Sequence, residues 1–85
     1  MDREQYAAAA ALGAYQMQAG NLEEAVRLWR QTLAISPARL PVRTNLATAL
    51  LRTGHPDQAQ ETLRKALGFN PAFQPATDLL NQIVK

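Results

Sequence analysis

Apolar residues recur at intervals of three and four along most of this chain, and nowhere in strict alternation. Leu22, Ala25, Val26, Leu28, Trp29 and Leu33 fall on one broad stripe of a helix. Leu46, Ala47, Leu50 and Leu51 form a second such stripe, and Ala59, Leu63, Ala66 and Leu67 a third. β-Branched residues are sparse and no strand is expected. The breaks between stripes are chemically explicit. Gly20 and Gly54 suit the left-handed position just past a helix end. Asn21, with Glu24 three residues on, has the form of a capping box. His55 takes the corresponding cap position, and Pro56 the first helical turn, where a missing N–H costs nothing. Pro37 and Pro71 force the preceding residue out of the helical region and end a helix each. Pro41 and Pro75 open the next ones, and Asp2 is a candidate cap for the first. The pattern predicts five helices, over about 3–19, 22–35, 41–53, 56–68 and 75–84, with short turns that make sequential helices antiparallel neighbours.

The punctuation is periodic. Pro37 and Pro71 are 34 positions apart, as are Gly20 and Gly54, Ala25 and Ala59, Leu33 and Leu67, and Leu12 and Leu46. At the same offset Trp29 matches Leu63, Gly13 matches Ala47 and Thr32 matches Ala66. Small residues at Gly13/Ala47 and Ala25/Ala59 let two helices of a pair cross closely. A glycine inside a helix costs about 1 kcal/mol relative to alanine, so Gly13 points to a close approach.

A 34-residue helix–turn–helix period with these residue types resembles the tetratricopeptide repeat. The first copy reads Ala9, Leu12, Gly13, Gln16, Ala25, Trp29 and Pro37; the second reads Arg43, Leu46, Ala47, Leu50, Ala59, Leu63 and Pro71. The resemblance implies one all-α domain, a right-handed superhelix of helical hairpins: repeats over about 6–39 and 40–73, and a closing helix over about 74–85. That last helix offers Leu79, Leu80, Ile83 and Val84 to the core and Asp78, Asn81, Gln82 and Lys85 to water. The chain departs from the family pattern in its large first position, which is Ala9 or Arg43, and in both tyrosine positions. Trp29 is expected to fill part of the volume that Ala9 leaves.

Composition narrows the chemistry. Hydrophobic residues make up 47% and charged residues 19% of 85 residues, the balance of a globular chain. Nine Lys and Arg against seven Asp and Glu leave +2, too weak a surplus to argue for nucleic acid or an anionic membrane. There is no cysteine and one histidine, which excludes disulfides, thiolate metal sites and a His-rich metal centre. No apolar run approaches the roughly 18 residues of a membrane span. The N-terminus has no secretory leader, which implies the cytoplasm if the chain is a complete protein and no address if it is a piece of one.

Ser36, His55 and Asp57 nominally supply a nucleophile, a base and an orienter. All three sit where caps and helix-ending turns belong, so no enzyme activity, metal or cofactor is expected. Arg27, Arg30, Arg64 and Lys65 lie on the second helices of the hairpins, as a solvated outer face with a Glu23–Arg27 pair. No aromatic residue interleaves with them, which speaks against nucleic acid.

The resemblance implies a binding role: protein–protein interaction, with a peptide or partner helix in a concave groove lined by the first helix of each hairpin. The groove positions are Ala7, Ala10, Ala14, Met17 and Gln18, then Thr44, Asn45, Thr48, Leu51 and Arg52, then Asp78 and Gln82. The partner-binding set is Ala10, Ala14, Met17, Asn45, Thr48, Arg52, Asp78 and Gln82. Asn45 can bond a partner's backbone and Arg52 can fork onto a carboxylate. Family members that clamp a C-terminal carboxylate use positions that here are Ala10, Ala14, Asn45, Pro75 and Leu79. Asn45 alone agrees, so that clamp is not expected. Repeat arrays normally stack three or more units, so two leave an end open. Either a preceding segment covers the alanine-rich first helix or two copies associate through it. Self-association as a homodimer is thus the alternative to groove binding, and an accessory domain of an enzyme whose catalytic part lies elsewhere is a third reading.

Overall fold

The computed structural model describes the backbone over residues 3–83 and side chains over 7–83. It contains five helices: α1 (Arg3–Gln18), α2 (Leu22–Ile35), α3 (Leu40–Arg52), α4 (Pro56–Phe69) and α5 (Gln74–Ile83). No strand occurs among the described residues. Each expected helix is present, with ends shifted by one residue or none over the described range. The cap proposed at Asp2 and the roles given to Val84 and Lys85 lie outside the described residues.

Gly20 and Gly54 adopt φ of +88° and +83°, where a Cβ would meet the backbone. Each sits in the same C-terminal motif. The Gly20 N–H donates to the Met17 carbonyl at 3.1 Å and the Asn21 N–H to Gln16 at 2.8 Å. One period later Gly54 donates to Leu51 at 3.2 Å and His55 to Leu50 at 2.8 Å. The following turns repeat as well: Arg39 N–H bonds the Ser36 carbonyl and Phe73 N–H the Asn70 carbonyl.

The expected capping box does not form. Asn21 makes no side-chain cap to α2; its Nδ2 donates instead to Gln16 Oε1 at 2.7 Å. Glu24 bonds the Arg27 guanidinium. The same bond replaces the expected Glu23–Arg27 pair, because Arg27 takes the acid three residues back rather than four.

Consecutive helices pack against one another, and α3 also touches α1 and α5. That arrangement makes two layers, with α1, α3 and α5 in one and α2 and α4 in the other. The core runs between them and is built from Trp29, Leu46, Leu50 and Leu63, none more than 4% exposed, over the small residues Ala25, Ala47, Ala59 and Ala66, all at 0%. Burying each large apolar side chain stabilises the fold by about 1.5–3 kcal/mol. Periodic positions share their burial: Ala25 with Ala59, Trp29 with Leu63, Gly13 with Ala47, Thr32 with Ala66. Leu12 and Leu46 break the pattern, at 46% and 4% exposed. The difference is positional: α2 covers the outer side of α3, whereas the described residues place no helix on the equivalent side of α1.

Trp29 packs against α1. Its ring lies on Gly13, and its indole N–H donates to the Ala10 carbonyl at 3.1 Å. α5 buries Ala76 completely, in addition to the expected Leu79, Leu80 and Ile83, which are half-buried against the core.

Candidate functional site

Two surfaces have the make-up of binding sites. The first is the outward side of the α1, α3 and α5 layer. There Ala14, Asn45, Arg52, Asp78 and Gln82 are exposed and Ala10, Met17 and Thr48 are half-buried. α3 is the middle helix of the layer, so Asn45, Thr48 and Arg52 lie between the contributions of α1 and α5. The polar groups differ in availability. Thr48 donates its hydroxyl to the Thr44 carbonyl at 2.9 Å, and Thr44 its own to Pro41 at 2.8 Å. Asp78 accepts from Gln74 at 2.7 Å along α5. Asn45 and Arg52 hold no hydrogen bond or ion pair among the described residues. Their full hydrogen-bonding capacity faces solvent.

The second surface was not visible in the sequence. The backbones of α2 and α4 do not approach closely, and a cleft opens between them above α3. Arg30 spans it, its Nη2 donating to Gln58 Oε1 at 2.8 Å. On one side of this bridge the cleft holds about 340 Å³, with Arg43 and Leu46 of α3 facing Glu61, Thr62 and Lys65 of α4. On the other side it holds about 230 Å³, lined by Glu23, Val26, Leu50, Thr53 and His55. The one available signal was an arginine, Arg43, at a position the repeat reserves for a bulky inward residue.

Arg43 is that inward residue: it is 8% exposed. Its stem replaces an apolar side chain. Its Nε donates to the Pro37 carbonyl at 2.8 Å, and its guanidinium lies 5.2 Å from the centroid of Phe69. Burial pushes its pKa down from the usual arginine value, because the charged form loses hydration. The other basic residues named from the sequence, Arg27, Arg30, Arg64 and Lys65, are exposed on α2 and α4, as expected of an outer face.

The nominal catalytic trio is not assembled. Ser36 precedes α3 and His55 follows it, so 13 residues of helix, about 20 Å long, separate them. Among the described residues no group of three metal-ligating side chains comes together. No described helix is long and apolar enough to cross a membrane.

A family model for the tetratricopeptide repeat matches residues 16–83, which takes in α2 to α5 and the end of α1. The chain belongs to the tetratricopeptide repeat family. It is also similar to tetratricopeptide repeat protein 7A of Homo sapiens, at 40% identity over 66 residues. That match covers 78% of this chain and 8% of the human protein, so the chain spans a small part of its relative's length. Tetratricopeptide repeats generally mediate protein–protein interaction and are typically non-catalytic. The small and large positions that define the repeat are those whose burial recurs here: Gly13/Ala47, Ala25/Ala59 and Trp29/Leu63.

Proposed function

We propose that this tetratricopeptide domain, with repeats over about 6–39 and 40–73 and a closing helix over about 74–85, is a non-catalytic binding module. In this reading the α1, α3 and α5 face receives a peptide or partner helix. The observation that carries it is the pair Asn45 and Arg52 on the middle helix, exposed and without polar partners among the described residues. Asn45 would pair with a partner's backbone at both its C=O and its N–H. Arg52 would take a carboxylate as a fork, and Ala10, Ala14 and Met17 would leave room for the partner's chain. Asp78 and Gln82 would border it on α5. The test begins with peptides selected for binding from a random library. Against them, Asn45→Ala and Arg52→Ala should each weaken affinity roughly tenfold while the melting temperature stays put. Unchanged affinity in both variants discards the reading.

A second reading, self-association through the outer side of α1, is favoured by one specific observation. Leu12 and Tyr15 are 46% and 64% exposed, on the same side as the exposed Ala8 and Ala11. Sedimentation of the isolated chain decides it: a strict monomer at high micromolar concentration removes this reading.

A further inference from the structure

The cleft between α2 and α4 is uneven in charge. Its smaller half sets one carboxylate, Glu23, against Arg30, with His55 and otherwise uncharged residues around them. Its larger half carries three cations, Arg30, Arg43 and Lys65, against one carboxylate, Glu61. Glu61 is already committed to Lys65 at 3.3 Å. No carboxylate pairs with Arg43 among the described residues, although Arg43 is the most buried of the cations. A buried charge without a counter-charge is costly, and a carbonyl and an aromatic face offset only part of that cost. Burial also holds the Arg43 pKa below the usual arginine value, because the charged form loses hydration.

We propose that the larger half of this cleft is a second docking site, taking an acidic segment of a protein partner with one carboxylate seated at Arg43 between Arg30 and Lys65. The site opens on the side of α3 that carries Arg43 and Leu46, away from the exposed side that carries Asn45 and Arg52, so it goes beyond the groove reading. A volume of about 340 Å³ suits one or two acidic side chains. One feature selects carboxylate over phosphate. Apart from Gln58 in the first turn of α4, the lining comes from within helices, Arg30 of α2, Arg43 and Leu46 of α3 and Glu61, Thr62 and Lys65 of α4, whose backbone N–H groups are spent on the helices, whereas phosphate sites draw on free N–H groups at helix starts and nests.

The test uses the whole chain, labelled with nitrogen-15, and N-acetyl tetraglutamate amide as the probe. Tetraglutamine amide is the neutral control, and inorganic phosphate the competing anion. Tetraglutamate should shift the resonances of Arg30 and of Gln58 to Lys65 at low salt and leave those of Asn45 and Arg52 in place. Lys65→Gln and Arg30→Gln, both at exposed positions, should each weaken binding about threefold without moving the melting temperature, and Arg52→Gln should not weaken it. Arg43→Gln should abolish binding if the variant keeps its helical spectrum; the two exposed variants decide the matter if it does not. The site is overturned if tetraglutamate produces no shifts there, if tetraglutamine produces the same ones, if phosphate binds more tightly, or if Arg30→Gln and Lys65→Gln bind as the parent does. Any of these outcomes leaves the reading built on Asn45 and Arg52 standing.

Discussion

The ring of Trp29 occupies the space that a side chain on Gly13 would need. A Cβ built on Gly13 would lie 2.6 Å from Trp29 Nε1 and 2.9 Å from two ring carbons. The ring cannot retreat, because it is 1% exposed and anchored to the Ala10 carbonyl. One period on, the equivalent positions are Ala47 and Leu63, a residue larger than Gly13 and one smaller than Trp29, both fully buried.

This relationship sets two effects of Gly13→Ala against each other. Alanine gains about 1 kcal/mol of helix propensity. Overpacking a closed junction typically costs about 1–3 kcal/mol. The clash wins, so Gly13→Ala should lower the melting temperature. Adding Trp29→Leu, which recreates the Ala47–Leu63 pairing, should recover part of the loss. Thermal unfolding of the single and double variants checks this; a Gly13→Ala variant more stable than the parent would contradict it.

The other glycines separate conformation from space. Gly54 and Gly68 both have open surroundings where a Cβ would point. Gly54 has φ of +83°, so Gly54→Ala should cost about 1–2 kcal/mol through the backbone alone. Gly68 lies within α4, so Gly68→Ala should stabilise by about 0.5–1 kcal/mol. Denaturant titration of the two variants should give shifts of opposite sign.

The contrast also shows what the sequence could reveal. Gly20, Gly54, Pro37 and Pro71 act through backbone rules that need no neighbours, so the turns were legible at once. The alternation of small and large core positions was legible because it repeats. Side-chain partners were not. Asn21 could bond forward to α2 or back to Gln16, and Arg27 had an acid at both three and four residues. Geometry of about an ångström chose between them, and periodicity carries no such detail. The α2–α4 cleft depends on how far apart two helices sit over a third, which no single stripe encodes. The choice of Asn45 and Arg52 rested on the groove positions that the family resemblance implies and on their shared helix face.

The Glu24–Arg27 contact makes a pH-dependent contribution of known sign. Its hydrogen bond to Arg27 holds the Glu24 carboxyl below the usual glutamate range. A depressed carboxyl stabilises the fold above its unfolded pKa, and that contribution disappears as pH falls through the folded value. Glu24→Gln should therefore lower the melting temperature slightly near neutral pH and at low salt. The difference from the parent should vanish in acid, below the folded pKa. An equal difference at both pH values would show that the charge is not responsible.

Leu12 and Leu46 occupy the same position of the two repeats, yet one is 46% exposed and the other 4%. In the isolated, monomeric chain the two should therefore respond very differently to truncation. Leu46→Ala opens a cavity between α2 and α3 and should cost about 2–5 kcal/mol. Leu12→Ala removes side-chain surface that already meets water and should cost roughly 0.5 kcal/mol or less. The comparison also reports on the outer side of α1. If two copies associate there, Leu12 becomes a buried residue of the dimer, and the cost of Leu12→Ala should rise with protein concentration. Chemical denaturation of both variants at low and at high micromolar concentration measures each quantity. A concentration-independent, small effect at Leu12 beside a large one at Leu46 would mean that the α1 face is uncovered in solution. A large effect at Leu12 at every concentration would mean that something within the chain covers it, contrary to the architecture described.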